Sequence, residues 1–140
     1  MLEEVLAAAS SVGPTWVVSP DPIDGATWIP DPGGGQGAAV EAALHEIGPG
    51  PVLIVNSDLP SVTADDLHAL REAIPERGIA IAPAEDGTTN ALGLSDATLF
   101  APLYGPGSAA RFRAHAGHAV DVVRAGLRDD VDTPADLATA

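Results

Sequence analysis

The chain has 140 residues, 46% of them apolar, which is the scale of one domain built around a single core. Its formal charge of −14 comes from 20 acidic residues against six arginines and no lysine, and it argues against nucleic acid and anionic membrane as partners. Cysteine is absent, which excludes a disulfide scaffold, a thiolate nucleophile and a zinc–thiolate site.

The N-terminal stretch MLEEVLAAASSV is acidic and lacks the basic flank and long apolar run of a signal peptide. No apolar segment approaches the roughly 20 residues of a membrane span, so a soluble cytoplasmic domain is expected. Leu2, Val5, Leu6 and Ala9 recur at helical spacing, which predicts a helix over 2–10 ended by Gly13-Pro14. Thr15 to Val18 reads as a strand closed by Ser19-Pro20-Asp21-Pro22, and Thr27 to Ile29 as a weaker strand. Ala39, Val40, Ala43, Leu44 and Ile47 mark one face of a helix over 36–47, which Gly48-Pro49-Gly50 ends. Val52 to Val55 is a near-continuous apolar strand of the kind buried on both faces. Thr63 is a natural N-cap for a helix reaching about Ala73, with Asp65 and Asp66 in the first turn, where the helix dipole favours them. Ile79 to Ala82 and Ala91 to Leu94 read as further buried strands, 107–118 as a helix anchored by Phe112, and Val120 to Val123 as a late strand. Thr133 caps a last short helix with Pro134 at its first position. Strands alternating with helices imply an α/β sandwich with a largely parallel sheet, in which ligands sit beyond the carboxyl ends of the strands.

Asp58 lies at such an end, within VNSDLPSVTADDL (55–67). A carboxylate there is either an Asx-turn or helix-entry residue, or part of a hard oxygen site for Mg²⁺. The metal reading needs a second carboxylate, and Asp130-Val131-Asp132-Thr133-Pro134 offers one just before a helix. Gly33-Gly34-Gly35 ahead of Gln36 lets backbone N–H groups approach a nucleotide, although three glycines before a helix are commonly only a turn. Asp86-Gly87-Thr88-Thr89-Asn90 joins a turn dipeptide to hydroxyl and amide donors, and Tyr104-Gly105-Pro106-Gly107-Ser108 sets glycines and a hydroxyl at a helix start that suits an anion. His115 and His118 lack a third ligand nearby for zinc, and no Gly-x-Ser-x-Gly elbow suggests a hydrolase.

Taken in order, these segments resemble the 2-phospho-L-lactate and phosphoenolpyruvate guanylyltransferases of coenzyme F420 biosynthesis. The resemblance rests on Trp16 to Pro20, Asp31 to Gly35, Asn56 to Pro60, Pro83 to Leu92, Tyr104 to Ser108 and Gly126 to Leu137, nearly the whole chain. It implies a Rossmann-like, three-layer nucleotidyltransferase fold of the glycosyltransferase-A type with a mostly parallel sheet, forming one domain over 1–140. It also implies Mg²⁺-dependent transfer of GMP from GTP to phosphoenolpyruvate or 2-phospho-L-lactate, with release of pyrophosphate. Carried over residue by residue, Asp58 and Asp132 hold the metal and are the catalytic pair. Thr88, Thr89, Asn90, Gly105 and Ser108 hold the phospho-acid, and Gly33, Gly34, Gly35 and Gln36 lie beside the guanine nucleotide. A homodimer is the assembly to test.

Three departures from the family pattern set further expectations. The family's first strand and its basic triphosphate-gripping loop precede the point at which this chain begins, so an apolar groove is expected beside Val52 to Val55. Gly37 stands where a polar side chain is expected, and Asn56 where a second aspartate would suit a metal. Two other readings compete with an active guanylyltransferase. One is a non-catalytic relative that binds a phospho-acid or a protein partner. The other is a nucleotidyltransferase for another acceptor, such as a molybdopterin or a sugar phosphate.

Overall fold

A computed structural model describes residues 2–130. Asp132, Thr133 and the helix expected after them lie outside the described residues. The elements in chain order are α1 (Leu2–Val12), β1 (Trp16–Ser19), β2 (Thr27–Pro30), α2 (Gln36–Ile47), β3 (Val52–Val55), α3 (Ala64–Glu72), β4 (Ile79–Pro83), β5 (Thr89–Leu94), α4 (Ser108–Ala116), β6 (Ala119–Asp121) and α5 (Ala125–Arg128). The bounds of α2 and β3 agree with the sequence reading to the residue. A 3-10 turn at Ala97–Leu99 and the four-residue α5 were not expected, because elements so short carry no periodicity.

Four strands form a sheet in the order β3-β5-β4-β6, and β1 and β2 pair in parallel as a separate ribbon. Strands β3, β4 and β6 run the same way, while β5 is antiparallel to both its neighbours. Its reversal has a local cause. Only 84–88 separate β4 from β5, too few residues for a crossover, and Asp86-Gly87 supplies a turn with Gly87 at φ 85°.

The sheet alternates its side chains between two cores. Ala80, Ala82 and Ala91 face a cluster with Val5 and Ala8 of α1 and Leu67 and Leu70 of α3. Ile79, Ile81, Leu92 and Leu94 face Ala109 and Phe112 of α4. Gly93 lacks a side chain where one is needed least: a Cβ there would come within 2.7 Å of Ile74 Cγ1, so glycine lets the end of α3 pack down on the sheet. Helices on both faces of the sheet give the three-layer α/β arrangement.

The far edge of β3 is different. Although its residues are as apolar as those of β4, all four are only half-buried, whereas Ile79 to Ala82 are buried. Beside it lies a cavity of about 460 Å³, walled by β1 (Trp16, Val17, Val18) and β3 (Val52 to Val55), with α1 on one side and α2 on the other. This is the groove expected beside Val52 to Val55, and its width separates the β1–β2 ribbon from the main sheet. Apolar walls of this kind favour self-association. Residues 1–140 will accordingly bind a hydrophobic dye and form oligomers in sedimentation velocity. A chain carrying an additional apolar strand ahead of Leu2 will melt higher and lose the dye signal. A short chain that stays monomeric, dark to dye and cooperative in its melting would show the walls to be closed in solution.

Candidate functional site

The tips of β3 and β5 gather most of the polar groups that the sequence singles out. The ladder between them continues one step past Val55, where the Asn56 amide donates to the Asn90 carbonyl at 3.0 Å. Asp58 follows two residues later and is buried, at 5% exposure, beside the fully enclosed Leu59. Its loop runs into α3 through a capping box. Thr63 Oγ1 accepts from the Asp66 amide at 3.2 Å, and Asp66 Oδ2 accepts from the Thr63 amide at 3.0 Å.

Asp66 has a second task. Its Oδ1 accepts from Arg124 Nε at 2.7 Å, which ties α5 to the start of α3. The two segments touch so closely that a side chain on Gly126 would collide with Asp66 Oδ2. From the other side, Asn90 Nδ2 donates to the Leu127 and Arg128 carbonyls at 2.9 and 3.0 Å. Asn90 is 1% exposed, so its carboxamide acts as an internal brace that holds α5 against the strand tips. The loop from Asp58 into α3 and helix α5 are thereby held against each other. Of the two carboxylates expected to share a metal, Asp58 is within this corner and Asp132 is outside the described residues. Among the described residues, no group of three or more His, Asp or Glu side chains could hold a metal ion.

Thr89 and Ser108 meet directly. Their hydroxyls share a hydrogen bond of 2.8 Å, and both residues are buried. Ser108 opens α4 behind Gly107, which sits in the left-handed region at φ 75° and provides no side-chain cap. The turn ahead of it is held from two directions. Arg111 donates to the carbonyls of Leu103 and Pro106, at 2.9 and 2.6 Å, and Tyr104 packs edge-on to Phe112 with ring centroids 5.3 Å apart. Burial raises the Tyr104 phenol well above its ordinary range. Thr88 is engaged elsewhere: its hydroxyl donates to Asp86 Oδ1 at 2.6 Å, and this bond, with that from the Thr88 amide, holds the Asp86 carboxyl below the usual carboxylate range.

Gly33, Gly34 and Gly35 are exposed and all have positive φ, at 77°, 94° and 92°. Helix α2 therefore starts behind a glycine with no side-chain cap and no acid in its first turn, as α4 does. Gln36 reaches back to the strand tips, where its Nε2 donates to Asn56 Oδ1 at 2.6 Å. Two expectations are corrected here. Gly37 has no room for a polar side chain, because a Cβ would lie 2.6 Å from Pro102 Cβ. Asn56 is not a substitute for an aspartate, since its Nδ2 donates to the Thr89 carbonyl at 3.0 Å, which a carboxylate cannot do.

The same chain is matched over residues 1–134 by the MobA-like NTP transferase domain model. The chain belongs to that family. Among curated proteins it is similar to the phosphoenolpyruvate guanylyltransferase of Sphaerobacter thermophilus, with 40% identity over 98% of this chain and 75% of the relative. The corresponding protein of Geodermatophilus obscurus is 34% identical over 100% of this chain and 70% of its own length. Two solved structures share the fold. A candidate nucleotide-diphospho-sugar transferase from Desulfovibrio desulfuricans superposes with a TM-score of 0.73 at 16% identity, covering 94% of this chain and 67% of that one. A hypothetical transferase from Thermus thermophilus gives 0.68 at 22% identity, covering 98% and 85%. The MobA-like chain is thus a nucleotidyltransferase, shorter than the guanylyltransferases it resembles.

Five of the six arginines are engaged within the chain. Arg71, Arg111, Arg113, Arg124 and Arg128 each bond a carbonyl or a carboxylate of the chain itself. Exposed Arg77 lies ahead of β4, at the end of the sheet away from the Asp58 corner; at that corner the features left to meet an anion are backbone N–H groups and the two glycine-capped helix starts.

Asp66 shows how this framework responds to pH. Burial pushes its carboxyl up, but the hydrogen bonds from Arg124 and Thr63 outweigh that and bring it below the ordinary value. A carboxyl depressed in the folded state contributes stability above its unfolded pKa and loses it as pH falls through the folded one. Asp66→Asn will cost roughly 1–2 kcal/mol at pH 7, the low end for a hydrogen bond between charged groups because Arg124 is partly exposed. In urea melts taken down the pH scale, the gap between wild type and variant will close below the ordinary carboxylate pKa. A gap that stays constant would show that the carboxylate's charge is not what holds α5 to α3.

Proposed function

We propose that this nucleotidyltransferase is a guanylyltransferase that moves GMP from GTP to phosphoenolpyruvate or 2-phospho-L-lactate, as a single cytoplasmic domain acting in coenzyme F420 biosynthesis. The observation that carries the reading is the buried Thr89–Ser108 hydroxyl pair at the start of α4, one strand away from buried Asp58. The names of the guanylyltransferase relatives favour phosphoenolpyruvate as the acceptor. No helix among the described residues is long and apolar enough to cross a membrane.

In this reading the phospho-acid lies against the start of α4. The hydroxyls of Thr89 and Ser108 and the backbone N–H groups of Gly105 and Gly107 bind its phosphate, helped by the positive end of the helix dipole. The guanine nucleotide lies along Gly33 to Gln36, where three glycines at positive φ leave the backbone open to close approach. A phosphate oxygen of the acceptor attacks the α-phosphorus of GTP. The bond from the α-phosphorus to the bridging oxygen breaks, and pyrophosphate leaves with that oxygen. The reaction needs alignment and charge stabilisation rather than a covalent nucleophile, which suits a site without cysteine and with its histidines elsewhere.

A buried carboxylate at a strand tip is a suitable hard oxygen donor for Mg²⁺, and Asp58 with Asp132 would hold it. When bound, the ion would neutralise charge on the transferring phosphate. Asn90 contributes by fixing α5 against the strand tips.

Two substitutions test the assignment. Asp58→Asn will lower turnover of GTP with phosphoenolpyruvate by at least about a hundredfold while the melting temperature stays close to wild type. Ser108→Ala will weaken acceptor binding by about 1.5–3 kcal/mol, the range for a hydrogen bond to a charged group, with little change in GTP binding. Equal losses for both ligands would assign Ser108 to the fold instead. Sugar phosphates serving as acceptors in place of phospho-acids would move the enzyme to another acceptor class.

A further inference from the structure

The carboxamide of Asn56 is engaged at both ends, and the chemistry of its partners fixes which way round it lies. Its Nδ2 donates to the Thr89 carbonyl at 3.0 Å and its Oδ1 accepts from Gln36 Nε2 at 2.6 Å. A backbone carbonyl can only accept, so Nδ2 must face Thr89 and Oδ1 must face Gln36. Gln36 is thereby obliged to present an N–H. At the other end, the Thr89 hydroxyl shares its hydrogen bond with the Ser108 hydroxyl at 2.8 Å. One line of polar contacts thus runs from the first residue of α2, through the tips of β3 and β5, to the first residue of α4.

We propose that Asn56 is a positioning residue that couples the two substrate subsites by locking the starts of α2 and α4 into one hydrogen-bonded unit. The identities of the two ligands rest on the guanylyltransferase reading; the linkage between the two helix starts does not. The mechanism is ordering. A ligand that settles Gln36 at the start of α2 also settles Asn56, and through the Thr89 backbone it settles the Thr89–Ser108 pair at the start of α4. The second ligand then meets a site already ordered, and by reciprocity each substrate tightens the other.

Amide hydrogen exchange on the complete protein without ligand reads the linkage directly. Gln36→Ala and Asn56→Asp will each raise exchange at the amides of Ser108 to Arg111 roughly three- to tenfold, the equivalent of one lost neutral hydrogen bond. The Ile79 to Ala82 amides of β4 serve as an internal reference and will stay at wild-type rates. An effect of Gln36→Ala confined to α2, or a uniform rise that includes β4, would overturn the proposal. A second measurement takes the dissociation constant of a GTP analogue non-cleavable between the α- and β-phosphates, with and without saturating phosphoenolpyruvate. The wild-type ratio will be about fivefold or more and will fall toward one in Asn56→Asp. Equal weakening of the analogue in both conditions, with the ratio kept, would reduce Asn56 to a structural role. A wild-type protein that binds no analogue would sink the guanylyltransferase reading, and the exchange experiment would still decide the linkage.

Discussion

Strand β5 imposes the constraint on which the rest of the structure depends. It is paired on both edges, with β3 and with β4, and all six of its residues are buried. Two of those residues, Thr89 and Asn90, carry polar side chains, and a buried polar group without a partner costs more than most single contacts return. Each has therefore drawn a different segment of the chain to itself. Thr89 draws the start of α4 through Ser108, and Asn90 draws α5 through two carbonyls. Asn56, beside them at the tip of β3, draws the start of α2 through Gln36. The corner where these segments meet is the candidate active site, and its placement follows from satisfying the polar end of one buried strand.

The same logic explains why so few cations are needed to build the site and why so few are available. Arg124 holds Asp66, Arg111 holds the carbonyls of the 103–106 turn, and Arg113 pairs with Asp121. These guanidinium groups position the loops around the strand tips and do not line an open phosphate clamp. Similarity to the MobA-like NTP transferases extends over residues 1–134, so the scaffold of the family is kept while the cationic residues serve the framework.

Much of the fold was legible in the sequence, and the reasons differ by element. Helix α2 repeats its apolar residues at helical spacing and ends in Gly48-Pro49-Gly50, and β3 is an unbroken apolar run, so both were read to the residue. The start of β5 was read two residues late, because Thr89 and Asn90 look like loop residues until their buried partners are known. The reversal of β5 was signalled by Asp86-Gly87, but alternation of helices and strands pointed to parallel neighbours. In the site, Asp58, Thr89 and Ser108 were singled out by type and context. The roles of Asn90 and Asn56 were not legible, because each depends on a partner far along the chain: Leu127 is 37 residues from Asn90, and Thr89 is 33 from Asn56. Local pattern carries no information about such pairs. Helix α5 escaped for a simpler reason, being one turn long.

The engagement of five of the six arginines with the chain's own carbonyls and carboxylates also sets how the protein responds to ionic strength. In most phosphate-binding proteins added salt weakens the ligand by screening attraction. Here the long-range field of a −14 chain repels a polyanion, while the close contacts available to it are mainly dipolar N–H groups at helix starts. Screening over a Debye length of about 10 Å at 0.1 M removes the repulsion first and leaves the short contacts nearly intact. Moderate salt will therefore speed nucleotide association in this protein, the reverse of the usual sign.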